Sequence, residues 1–215
     1  VNGYVDNVLK NWRRGQLNFS LRTQNLASVR RLLPRSLTQS ICIPNRVQTK
    51  GWIAFRGDVY DTRLAAQMEK GRLQVKAHAN LRSEAYQVAA TAHSFPIASI
   101  VKGVAVSPFS GRLRVSGRGF DVLSSRSSLT ADARVDRLAY SGYDLSGIQL
   151  NGHLQGGRAK ASFSVRNSLI NADGEGNAVI GKQGYDVALK ASLPELDLLK
   201  MGVTKDALLY RTDVE

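Results

Sequence analysis

The chain has 215 residues, of which 43% are hydrophobic, and carries 30 Lys+Arg against 17 Asp+Glu for a formal charge of +13. That length supports one large domain or two small ones, and the apolar content is that of a folding chain rather than a disordered, self-repelling one. No stretch reaches the ~18 apolar residues of a spanning helix, the first residues do not read as a secretory leader, and the single cysteine, Cys42, excludes an internal disulfide. The chain opens on Val1, and residues 210–215 still alternate as a strand does, so a fragment of a longer protein is expected.

Nineteen glycines against five prolines, with few 3.6-residue patterns, point to many short strands joined by tight turns. In chain order, Val5 to Trp12 reads as a short helix within a helical or frayed lead-in over 1–15. Gln16 to Arg22 then alternates as a strand. Asn25 to Pro34 has a capping residue, apolar spacing of three to four and a proline stop, which predicts one or two helical turns. Leu73, Val75, Ala77, Ala79 and Leu81 alternate with Gln74, Lys76, His78 and Asn80, a strand with one dry and one wet face. Tyr86 to Ala92 repeats the pattern and runs into a short helix at Ile97–Ile100. In Gly111 to Gly117, Leu113 and Val115 take one face and Arg112 and Arg114 the other, with Arg118 following on the wet side.

The alternation is longest further on. Leu129, Ala131, Ala133 and Val135 are set against Thr130, Asp132, Arg134 and Asp136. Ile148, Leu150 and Leu154 belong to the next strand. Ala159, Ala161, Phe163 and Val165 face away from Lys160, Ser162, Ser164 and Arg166, and Val187, Leu189 and Leu193 from Asp186, Lys190 and Ser192. Leu196 to Met201 predicts a last short helix. Turns are expected at Lys70-Gly71, Ser141-Gly142, Gln155-Gly156-Gly157 and Gly181 to Gly184, and connections this short require antiparallel neighbours. The Gly-Arg-Gly at 117–119 and Gly-Glu-Gly at 174–176 do not extend into a dinucleotide fingerprint and read as turn or strand-end glycines.

Two segments repeat at an offset of 99 residues: Tyr86-Gln-Val88 leading to Gly103-Val104, and Tyr185-Asp-Val187 leading to Gly202-Val203. Strand blocks that each end in a small apolar helix suggest an elongated array, with blocks at about 16–48, 49–119 and 120–215 in one continuous segment over 16–215.

These blocks, with Leu138 to Gly152 and Gly184 to Gly202, resemble the AsmA-like superfamily, most closely its TamB branch of translocation and assembly module subunits. The resemblance implies an all-β fold: an elongated, mostly antiparallel twisted sheet curled into a U-shaped groove, the β-taco, with a few short helices. It implies a place in the periplasm of a Gram-negative envelope, as part of a protein anchored in the inner membrane, with membranes at both ends of the full-length protein. It also implies phospholipid acyl chains as cargo and an outer-membrane barrel protein of the assembly-factor type as partner. The strong positive charge and the lack of an N-terminal anchor depart from that family's usual picture.

A meander of about 14 to 16 strands must cover its dry face, because each large apolar side chain loses roughly 1.5–3 kcal/mol if left in water. A second sheet would cover it in a sandwich; the opposite wall and a guest with acyl chains would cover it in a groove. On the groove reading, the wall is Leu73, Val75, Leu113, Val115, Leu129, Ala131, Ala133, Val135, Ile148, Leu150, Leu154, Ala159, Ala161, Phe163, Val165, Val187, Leu189 and Leu193. A passive spacer, or a platform that adds strands to an unfinished barrel through its edge, is the alternative.

Charge is unevenly placed: residues 1–126 hold 20 Lys+Arg and 6 Asp+Glu, residues 127–215 hold 10 and 11. Arg112, Arg114 and Arg118 either solvate the exterior or meet anionic headgroups or an acidic partner. No nucleic-acid partner is expected, since zinc-finger spacing and stacking aromatics on a basic strand are both missing. Neither an enzyme, a cofactor nor a metal site is expected: His78, His93 and His153 lack helical ligand spacing, and Cys42 sits between Ile41 and Ile43 as a packing residue.

Overall fold

The computed structural model describes residues 1–6, 13–23, 46–101, 103–121, 123–181, 184–197 and 209–214. Among them the strands are β1 (Asn2–Asp6), β2 (Arg14–Thr23), β3 (Val47–Arg56), β4 (Val59–Met68), β5 (Gly71–Asn80), β6 (Ala85–Phe95), β7 (Phe109–Arg118) and β8 (Ser128–Arg137). They continue with β9 (Ala139–Tyr140), β10 (Tyr143–Asp144), β11 (Ile148–Gln155), β12 (Arg158–Arg166), β13 (Ile170–Ile180), β14 (Tyr185–Asp197) and β15 (Leu209–Val214). A 3-10 turn at Ile97–Ser99 follows β6.

Thirteen strands form one antiparallel sheet in simple chain order, from β1 through β8 and on from β11 to β15. β9 and β10 make a separate hairpin between β8 and β11. The first and last strands do not pair, so the sheet curls without closing, which is the all-β, antiparallel, groove-like architecture expected. The turns explain the meander. Gly156 (φ 55°) and Gly157 (76°), like Ser141 (50°) and Gly142 (89°), both take positive φ, the signature of the two-residue turn whose twist matches that of its strands.

Register keeps the alternation in phase from strand to strand. Leu113 opposes Ala90 on one side and Ala133 on the other, and Leu150 opposes Ala133 and Phe163. A slip of one residue would invert a strand's faces. Apolar positions therefore collect on a single side of the sheet.

No second layer covers that side among the described residues. None of their large side chains is fully buried, and the buried apolar residues are Met68, Ala92, Phe95 and Ala172. The accessible surface is 15145 Å2, against roughly 9,800 Å2 for a compact protein of this mass. One apolar cluster covers part of that side. After β6, Ile97 and Ile100 fold back onto Met68, Ala92 and Phe95, with Val47, Leu73 and Phe109 around them. The crossing is tight: a Cβ on Gly71 would lie 2.6 Å from Pro96 Cδ.

Several local expectations change. Residues 2–6, placed in a helical or frayed lead-in, are instead the strand β1, paired with residues 14–18 of β2. Leu196 and Asp197, expected in a helix, extend β14 and pair with β15. Of the two segments 99 residues apart, the first runs from β6 into the 3-10 turn at Ile97–Ser99, as expected, and the end of the second, residues 198–203, lies outside the described residues. Gly174 and Gly176 lie in the middle of β13, not at a turn. The helix expected over 25–34, residues 7–12, residues 198–201 and Cys42 lie outside the described residues.

Candidate functional site

The pairing registers compose the apolar face row by row. One row runs Phe19, Gly51, Leu64, Val75, Ala90, Leu113, Ala133, Leu150, Phe163, Gly174 and Ala191, one residue from each of eleven strands. The row beside it runs Leu17, Ile53, Thr62, Ala77, Val88, Val115, Ala131, Gly152, Ala161, Gly176 and Leu189. At ~4.8 Å between strands each row is about 48 Å long. Neither contains a charge. The hydroxyl of Thr62 donates to the Trp52 carbonyl at 2.9 Å, so the one polar side chain in them is already satisfied.

All eighteen expected wall residues lie on this face, because they hold the same parity within their strands and the registers preserve it. They are not equally covered. Val187 is 64% exposed and Leu189 59%, while Val75, Val115 and Phe163 are half-buried by their neighbours. Sequence reasoning missed the wall contributed by β2, β3 and β4, including Leu17, Ile53 and Leu64. There the rings of Trp52 and Phe55 fall on opposite parities, as do the Val59 side chain and the Tyr60 ring beside the turn, which blurs the alternation. It also missed Gly51, Gly152, Gly174 and Gly176, which carry no side chain to betray a face.

The opposite face is polar. Arg14–Asp6 (3.1 Å), His78–Asp61 (2.8 Å), Arg134–Asp136 (2.6 Å) and Arg166–Asp173 (2.5 Å) are exposed ion pairs, each worth about 0–1 kcal/mol. Recesses of about 530, 880 and 620 Å3 open between side chains of this polar face. Arg112, Arg114 and Arg118 are exposed here. The sheet itself separates Arg112 and Arg114 from Leu113 and Val115, so a lipid whose tails lay on those residues would not present its headgroup to them.

His78 Nδ1 lies against Asp61, which orients the imidazole, and His153 Nδ1 is 3.3 Å from the Thr130 hydroxyl. The next residue across from His78 is Gln87, and Ser116 is one strand further. That puts the nearest serine in the row about 9.6 Å away by strand spacing, beyond the reach of a base that must take its proton. The arrangement offers surface chemistry, apolar on one side and ionic on the other. No family model, curated protein or solved structure matches the chain.

Proposed function

We propose that the protein carries or shields phospholipid acyl chains along its apolar face, between the inner and outer membranes of a two-membrane envelope. The observation that supports this reading is the pair of uncharged rows, each crossing eleven strands and left without a second layer among the described residues. Each tail methylene that leaves water for such a surface contributes about 0.8 kcal/mol. No polar group in the rows seeks a partner, so nothing fixes a tail at one position, and it moves along the sheet with its headgroup in water. No covalent step is involved. The resemblance to AsmA-like proteins agrees with this reading.

The test is photo-crosslinking. A benzophenone side chain at Leu150 or Leu189, mixed with vesicles of phosphatidylethanolamine and phosphatidylglycerol, should form lipid adducts, and one at Gln149 or Lys160 on the opposite face should not. Equal labelling from both faces, or none from the apolar one, sinks the proposal.

A second reading rests on the outer edge of β1, whose backbone pairs only with β2 among the described residues. A platform that adds a strand of an outer-membrane barrel to this edge would use those groups. Peptide adducts in place of lipid adducts would favour it.

A further inference from the structure

We propose that the polar face holds a binding site for an acidic oligosaccharide, in the recess of about 530 Å3 over β3 to β8. The site is separate from the apolar rows, which lie on the other side of the same strands.

Its core is one line of register partners: Trp52, Arg63, Lys76, Ala89, Arg114 and Asp132. Arg63 stands directly opposite Lys76, a like-charge pair that opposes strand pairing unless an anion neutralises it. Arg63 is held over the Trp52 ring at 5.6 Å. Among the described residues, no carboxylate lies within ion-pair distance of Arg63, Lys76 or Arg114, and the nearby Asp61 is taken by His78. Between Lys76 and Arg114 the line carries only the methyl group of Ala89, which sets a low floor between two cations about 9.6 Å apart. Gln87 and Thr130 add neutral hydrogen-bonding groups to the lining.

Two separated cations with amide and hydroxyl groups between them suit a chain that alternates anionic groups and hydroxyls, which is the chemistry of an acidic sugar polymer. A flat anionic membrane fits less well, since Lys76, Ala89 and Arg114 line a recess rather than a flat surface. Nucleic acid fits less well too, because the one aromatic ring in the recess is already covered by Arg63.

Calorimetric titration with short polygalacturonate oligomers tests the site, with uncharged maltodextrin of equal length and phosphatidylglycerol vesicles as the other arms. The oligomer should bind and maltodextrin should not. The double variant Lys76→Ala/Arg114→Ala should weaken binding by ~tenfold or more, with weaker salt dependence, while Lys76→Arg/Arg114→Lys should retain it and Lys160→Ala on β12 should leave it unchanged. Thermal unfolding that matches the parent protein shows that the double variant is folded. Binding of maltodextrin as tight as that of the oligomer, no effect of the double variant, or vesicle binding that needs Lys76 and Arg114 while the oligomer does not bind would each overturn the assignment.

Discussion

The ring of Phe163 in β12 lies across Gly174, its register partner in β13, so closely that a Cβ on the glycine would overlap the ring edge. The same relationship joins Phe19 to Gly51, Phe55 to Gly15 and Tyr86 to Gly117, where a built Cβ would come within 2.6 Å of the ring or its hydroxyl. Glycine in a strand leaves backbone bare and nothing to pack, and a neighbouring ring laid over it restores apolar cover. Each pair replaces two upright side chains by one flat ring, which lowers the relief of the face on which a tail would slide.

Gly174→Ala should therefore lift the Phe163 ring and destabilise the sheet by about 1–3 kcal/mol, the usual range for overpacking. Gly184→Ala, where a Cβ meets nothing within 4 Å, should change stability by less than about 0.5 kcal/mol. Denaturant unfolding of the two variants checks this, and equal losses would remove the ring-on-glycine account.

Burial separates two kinds of apolar residue on one face. Phe95 belongs to the small core beneath Ile97 and Ile100, so Phe95→Ala should cost about 3 kcal/mol or more. Leu189 is 59% exposed, and Leu189→Ala should cost less than about 0.5 kcal/mol in the absence of lipid. A large loss at Leu189 would mean that protein, not solvent or lipid, covers the far end of the wall.

Asp144 ends the β10 hairpin strand, where hydrogen bonds from the Ser146 hydroxyl and then the Ser146 backbone N–H hold its carboxyl below the ordinary value of 3.8. A depressed folded-state value stabilises the protein above the ordinary pKa and is lost as pH falls through the folded one. Carbon-detected NMR titration should give Asp144 a midpoint below 3.8, and Ser146→Ala should raise it towards that value while the backbone N–H keeps part of the shift. An unchanged midpoint in Ser146→Ala would contradict the hydroxyl's role.

Thirteen strands in one layer span about 58 Å at ordinary strand spacing. Small-angle scattering should therefore give a radius of gyration clearly above the ~17 Å of a compact globule of this length. A value near 17 Å would require the sheet to fold into two packed layers in solution.

Much of this was legible in the residues. Leu129 to Asp136 and Ala159 to Arg166 alternate without interruption, and a period of two with charge on one parity has no stable solution other than a two-faced strand. The turns at Ser141-Gly142 and Gly156-Gly157 were legible for a similar reason, since the positive φ of a two-residue turn favours glycine, which fills both central positions of the second and one of the first. Leu196 and Asp197 were not legible: their spacing suits a helical turn as well as a strand, and pairing with β15, which follows a long connection, decides between them. Gly174 and Gly176 looked like turn residues because a glycine's face is set entirely by its neighbours.

Local chemistry therefore determined that this chain makes strands with a dry side and an ionic side, because side-chain parity is a property of each strand alone. Only the tertiary structure decided that the dry sides of eleven strands point the same way, that rings lie over glycines, and that Ile97 and Ile100 cover one part of that face. Those features depend on register between segments and on which surfaces meet, and no single stretch of sequence encodes either.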